Sequence, residues 1–193
     1  MRVRNEESYQ RNKEQHMEAC FAAYAEGGLS STGIKALAAE CGCSTATLYT
    51  YFDNLDDLIV QSTAHCMAKV EDEFMARAPK SAAELERFID ETPYWTAERH
   101  GASYRLMYQV YAHPKYREFG KEFFQGVNER YAQYAAELAG SLGLPANALT
   151  GLIFIFVRAC VHYALYEDEA YLKAQLGVLK QGIALFMSQA KAA

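Results

Sequence analysis

Apolar residues recur along this chain at spacings of three and four, and strict alternation is scarce, so the pattern predicts an all-α protein. Met17, Phe21 and Tyr24 fall on one face of a helix predicted over residues 6–26, which Gly27-Gly28 ends. Thr32 is placed as the N-cap of a short helix with Ile34, Leu37 and Ala38 inward. Gly42 breaks that helix, and Ser44 caps a third that runs to about Phe52. Asp53-Asn54 reopens the chain into a longer fourth helix, where Asp56 and Asp57 suit the positive first turn. Breaks at Ala78-Pro79-Lys80-Ser81, His100-Gly101, His113-Pro114 and Gly140 to Pro145 delimit further helices at 81–99, 102–112, 114–139, 147–166 and 168–190, about nine in all. The expected organisation is a three-helix head over 1–52 and a larger helical bundle over 53–193, connected by the helix at 53–78.

Two short helices joined by a glycine turn make a helix-turn-helix when the second is anchored from below and polar above. Thr32 to Phe52 has that form. Ala38 is small where the helices cross, Cys43 fills space under the Gly42 turn, and Leu48 and Phe52 (i, i+4) anchor the second helix. Thr45, Thr47, Tyr49, Thr50 and Tyr51 are left to face outward. Here the chain resembles the TetR family of one-component regulators, from the Phe21…Gly27 end of the first helix through Leu48-Tyr49-x-Tyr51-Phe52 to Leu58. The remainder is similar only in size and helical content. The resemblance implies a DNA-binding head, a body that takes a small molecule, and a homodimer made by the last two helices. Carried onto this sequence, it places DNA contacts at Arg2 and Arg4 in the N-terminal arm, at Thr32 and Lys35, and at Ser44, Thr45, Ala46, Thr47, Tyr49, Thr50 and Tyr51. Two positions depart from the family pattern: Leu55 stands where a phosphate-clamping lysine is usual, and Thr45 where Lys or Arg is frequent.

Composition narrows the classes. The 193 residues are 51% hydrophobic and 22% charged, a globular balance with enough apolar surface for a core. A net charge of −5 excludes a basic coat protein for nucleic acid but leaves room for a specific reader. Residues 1–60 carry five basic side chains against nine acidic ones, so the phosphate neutralisation that supplies much of DNA affinity is scarce in the head or comes from the arm. The first 25 residues are too polar for a signal peptide. The longest apolar run, Ala148 to Leu165, holds Arg158 and His162 and reads as a buried helix rather than a membrane span. Five cysteines without a disulfide rhythm suit a reducing cytoplasm. Cys41-x-Cys43 and His65-Cys66 lack a second pair at zinc-ligand spacing, so no metal or other cofactor is expected. The nucleophile elbow, zincin, Walker and Rossmann signatures are missing, which makes an enzyme the weaker class.

The body is rich in aromatics, with eleven among the 41 residues from Tyr94 to Tyr134. Tyr104, Met107, Tyr108 and Tyr111 share one helix face, and Phe119, Phe123, Val127, Tyr131 and Tyr134 another. Core packing accounts for most of them, yet several hydroxyls on one face also suit a pocket with few polar groups. The candidate ligand-binding residues are Trp95, Tyr104, Met107, Tyr108, Tyr111, Phe123 and Tyr131, with Arg158 and His162, and the expected effector is flat or aromatic and largely apolar. Arg158 and His162 (i, i+4) stand either as an anchor for a polar ligand or as a paired contact between helices. In the last helix Leu172, Leu176, Leu179, Ile183 and Phe186 repeat at alternating four and three. Beside the apolar 148–165 helix, this stripe is expected to form a four-helix dimer interface. Together these expectations describe a ligand-responsive repressor of a palindromic operator. The alternative is a helical small-molecule- or protein-binding dimer whose head no longer binds DNA.

Overall fold

The computed structural model describes residues 6–192, with side chains through 188. Its helices are α1 (Glu6–Gly27), α2 (Ile34–Glu40), α3 (Thr45–Leu48), α4 (Leu55–Arg77), α5 (Ala82–Tyr111), α6 (Arg117–Leu142), α7 (Ala146–Tyr166) and α8 (Glu169–Ala192). No strand occurs among the described residues. The chain gathers into two compact units, residues 1–72 with 105–121, and residues 73–104 with 122–193.

In the first unit α1 turns Met17, Cys20, Phe21 and Tyr24 inward at helical spacing. Leu37, Leu48 and Phe52 are buried almost completely. Each such side chain contributes roughly 1.5–3 kcal/mol on burial, which offsets the poor intrinsic stability of a helix as short as α3. Asn54 and Asp57 start α4 reciprocally: Asn54 Oδ1 accepts the Asp57 amide and Asp57 Oδ2 accepts the Asp53 amide, both at 3.0 Å. This unit takes in more than the head expected over 1–52, because it includes α4 through Asp72 and the segment 105–121. There Lys115 and the Tyr116 hydroxyl both reach Asp56 and hold its carboxyl below the usual carboxylate range, Lys115 contributing most. Gly120 of α6 lies where any Cβ would stand 2.8 Å from Tyr111 Cβ.

The expected break at His100-Gly101 is absent. α5 runs unbroken for 30 residues, so eight helices replace the nine expected. A glycine inside a helix costs only about 1 kcal/mol, and burial of Tyr104, Met107 and Val110 just beyond it outweighs that. α5 also continues through Pro93, which forfeits the bond to the Ile89 carbonyl. The Pro93 ring is fully buried in return.

The second unit has a core of Phe74, Ile89, Val127, Tyr131, Leu152, Phe156 and Cys160 with Leu172, Leu176 and Leu179. A smaller cluster joins Ala135, Leu138, Leu142, Leu144 and Leu149. The α8 stripe expected at a dimer seam is therefore spent inside its own chain. Leu172, Leu176 and Leu179 are buried, and Ile183 and Phe186 pack against the same cluster. A heptad repeat states that residues share a face, not whether that face meets another chain. α7 is long and apolar enough to cross a bilayer, yet Leu149, Leu152, Phe156, Cys160 and Ala164 lie buried along one side of it.

Gly120→Ala should lower stability by roughly 1–3 kcal/mol, the usual cost of overpacking, and show a depressed Tm. Gly126→Ala, on the same helix with open space around the new methyl, should be neutral or raise Tm slightly.

Candidate functional site

Ser44 starts α3. Its backbone is extended (φ −83°, ψ 156°), and its Oγ accepts the Thr47 amide at 3.1 Å while lying 2.9 Å from Thr47 Oγ1. Gly42, at φ 61°, supplies the left-handed residue of the turn. α3 is a single turn, but further backbone bonds carry the chain to Phe52, whose amide donates to the Leu48 carbonyl at 3.1 Å. The face opposite Leu48 presents Ser44, Ala46, Tyr49 and Thr50 exposed, with Thr45 and Thr47 half-buried. Tyr49 is 49% exposed, and the Thr50 hydroxyl donates to the Thr47 carbonyl at 2.7 Å. Lys35 is exposed near the start of α2. This surface is neutral, built from hydroxyls that can both donate and accept.

Two expected contacts are placed differently. Thr32 does not cap α2. Gly33 occupies that position without a side-chain cap, and Thr32 Oγ1 donates to the Gly28 carbonyl at 2.9 Å, closing the turn after α1. A threonine hydroxyl bonds back to residue i−4 as readily as it caps forward. Tyr51 is not an outward group either: its ring stacks on Tyr9 at 4.8 Å and meets His16 edge-on at 5.0 Å. The Tyr9 hydroxyl donates to the Thr50 carbonyl at 3.3 Å. Tyr9 and His16, spaced i, i+7 on α1, thus support the reading turn, a role that the apolar periodicity of α1 does not reveal. Burial holds the His16 imidazole below its ordinary pKa, so the ring stays neutral near pH 7. Arg2 and Arg4 lie outside the described residues. Leu55, the first residue of α4, is half-buried.

Polar contacts fasten α1 to α4 behind this surface. Glu18 receives Lys69 and, at 3.3 Å, His65; the Lys69 bond is the main reason its carboxyl titrates below the usual range. Cys20 Sγ lies 3.5 Å from Cys41 Sγ, and burial pushes both thiols up. Among the described residues no group of His, Cys, Asp or Glu could hold a metal ion.

The second unit contains a narrow apolar cavity of about 50 Å³, partly open to solvent. α4 and α5 line it with Phe74, Met75, Leu85, Phe88 and Ile89, α6 with Tyr131, Tyr134 and Leu138, and α7 and α8 with Leu149, Leu152, Ile153, Phe156, Leu179 and Ile183. The Tyr134 hydroxyl is turned to the Pro79 carbonyl at 2.5 Å, leaving its ring to the wall.

Of the residues expected to bind ligand, only Tyr131 lines this cavity. Trp95 and Phe123 pack at the margin of the core cluster. Tyr104 is solid core, and Met107, Tyr108 and Tyr111 belong to the first unit. The shared face of that tetrad therefore divides between two units instead of lining one pocket. Arg158 is exposed on the outer side of α7, and His162 stacks on Tyr166 and Tyr171 at 4.8 and 4.2 Å, so neither points to the cavity. The aliphatic wall escaped notice because nothing in a leucine spacing separates a filled core from one with a gap. Leu179 and Ile183 were visible in the sequence only as part of the supposed seam.

Residues 17–61 match the family model described as bacterial regulatory proteins, tetR family. No curated protein matches the chain by sequence. Among solved structures, a TetR transcription regulator from Haloarcula marismortui is similar over 92% of this chain and 98% of its own, at TM-score 0.70 and 18% identity. A TetR-family transcriptional regulator from Mesorhizobium loti covers 97% and 98%, at 0.68 and 15%. The transcriptional regulator FadR from Bacillus subtilis, in complex with stearoyl-CoA, covers 90% and 97%, at 0.58 and 16%. At these identities the likeness establishes the fold.

Loss of the cap in Ser44→Ala should cost roughly 0.5–2 kcal/mol and speed hydrogen exchange selectively at the Thr47 amide. Exchange unchanged there would mean that the side chain does not hold the turn.

Proposed function

We propose that this chain, whose residues 17–61 match the family model described as bacterial regulatory proteins, tetR family, is a ligand-responsive repressor of that family. In this reading a cytoplasmic homodimer holds two heads on a palindromic operator and releases it when a small, largely apolar molecule fills the cavity. The observation that carries the reading is one chain combining a Ser44-capped hydroxyl surface with an unfilled apolar cavity. Residues 1–52 serve as the DNA-binding domain and 53–193 as the ligand and dimer domain, with 53–78 connecting them. The stearoyl-CoA bound by the Bacillus subtilis neighbour supports a largely apolar effector. By linkage, effector and operator must weaken each other's binding by one common factor.

A second copy is the partner proposed for the outer face of α7 and α8. Tyr171, Val178 and Leu185 repeat every seven residues on α8, one position before the buried stripe, and Val178 is 70% exposed. Phe154 and Ile155 are exposed on α7, where Ile155 reaches 52%. Contiguous apolar side chains of this size on two neighbouring helices favour burial against another chain, and heptad spacing is the one that helix pairs use.

Val178→Asp combined with Ile155→Asp should give folded monomers by light scattering that no longer bind the operator. A wild-type monomer at micromolar concentration would overturn the dimer. Binding-site selection should recover a palindrome with half-sites one helical turn, roughly 34–36 Å, or a multiple apart. Tyr49→Ala should weaken all sites alike, whereas Thr47→Ala should change the preference at one base position. Leu55→Lys should tighten binding and steepen log K against log salt by about 0.9 for each phosphate gained. An unchanged slope would show that position 55 does not face the backbone.

A further inference from the structure

We propose that the cavity takes an anionic amphiphile, an aliphatic chain ending in a carboxylate or phosphate, and that Arg77 binds the anionic end. This deepens, and rests on, the assignment of the cavity as the effector site. It replaces the flat aromatic ligand expected from the aromatic content of the sequence.

The walls are chiefly aliphatic, with Leu85, Ile89, Leu149, Leu152, Leu179 and Ile183 facing the unfilled space. Tyr134, one of the two tyrosines present, already spends its hydroxyl on Pro79. A ligand buried here gains by bringing methylene groups, and an unmatched polar group inside would be strongly penalised. The polar part of the molecule therefore belongs at an opening.

Pro79 and Phe88 line both the cavity and an open basin beside it, whose other walls are Arg77, Glu84, Arg87 and Glu91. Two cations and two carboxylates balance in this basin, and their contacts decide which cation is open to a ligand. Glu91 pairs with Arg87 at 2.9 Å, and Glu84 Oε2 accepts the Lys80 amide at 2.8 Å. Arg77 has no carboxylate partner among the described residues. Its guanidinium lies 4.4 Å from the centroid of the Trp95 ring. Stacking on an indole orients a guanidinium while leaving its in-plane N–H donors available for a planar anion. Arg77 also ends α4 next to the cavity-lining Ala78 and Pro79, one turn beyond Phe74. An oriented cation with no carboxylate in contact, at the edge of an aliphatic cavity, matches a charged head on an apolar tail.

The test uses the full-length protein with three probes of equal chain length: laurate, lauroyl-CoA and dodecanol. Binding is read by calorimetry and by the emission of Trp95, the only tryptophan. An anionic probe should shift that emission as its head draws the guanidinium from the indole. Arg77→Gln should weaken it about tenfold, the order of one charge-assisted hydrogen bond, while leaving dodecanol within about twofold. Arg77→Lys should restore part of the loss, and Arg87→Gln, whose charge is already paired, should change little. A loss seen with laurate assigns the carboxylate, and one confined to lauroyl-CoA assigns the phosphates. Equal losses for dodecanol, or no loss for either anion, would overturn the role of Arg77 and leave the effector cavity in place. Binding of none of the three to the wild type would remove both. Arg77 is exposed, and unchanged melting of Arg77→Gln would confirm that a loss is not unfolding.

Discussion

Burial of the α8 stripe fixes the second unit. Leu172, Leu176 and Leu179 enter the cluster that holds Phe74, Leu152 and Phe156. At roughly 1.5–3 kcal/mol for each buried leucine, an upper estimate, the three together far exceed a surface ion pair worth about 0–1 kcal/mol. The Lys180–Asp90 pair at 2.7 Å therefore follows the packing rather than directing it. Two features depend on this placement. Leu179 and Ile183 become cavity wall, and the residues one position earlier, Tyr171, Val178 and Leu185, are turned outward.

The first unit solves a different problem, holding a single-turn helix in one orientation. Leu48 and Phe52 supply the anchor below, Ser44 satisfies an amide at the start, and Tyr51 is clasped by Tyr9 and His16 at the end. Each contact is modest, but together they act on every part of the turn. The neighbouring face then offers Thr45, Ala46 and Tyr49, beside Ser44, Thr47 and Thr50, whose hydroxyls also bond within the turn.

The head was largely legible in the sequence because its determinants are local. Ser44, Gly42, Leu48 and Phe52 act within ten residues of one another, and their chemistry admits few alternatives. The missed details there, Thr32 and Tyr51, involve a choice between two partners of similar energy. The body was legible as helices and not as a site. Tyr104, Met107 and Tyr111 share a face and are buried, as the spacing implies, but a helical face carries no information on whether its partner is tightly fitted or leaves a gap. The same ambiguity sent Leu172, Leu176 and Leu179 to the wrong side of a helix pair. Gly101 misled for the opposite reason, since a local propensity was outweighed by burial along α5.

The uncharged face around α3 bears on how a DNA reader spends its time. Proteins with dense arginine and lysine surfaces are held by bulk chromosomal DNA through phosphate attraction alone, and much of their copy number is sequestered there. A face of Ser44, Thr47, Tyr49 and Thr50, in a head where acidic side chains outnumber basic ones, gives that reservoir little hold. In the proposed role, occupancy of an operator would then depend on the ratio of specific to nonspecific affinity more than on absolute tightness. A repressor of this kind would need only a small number of molecules per cell, because few would be lost to competing sites.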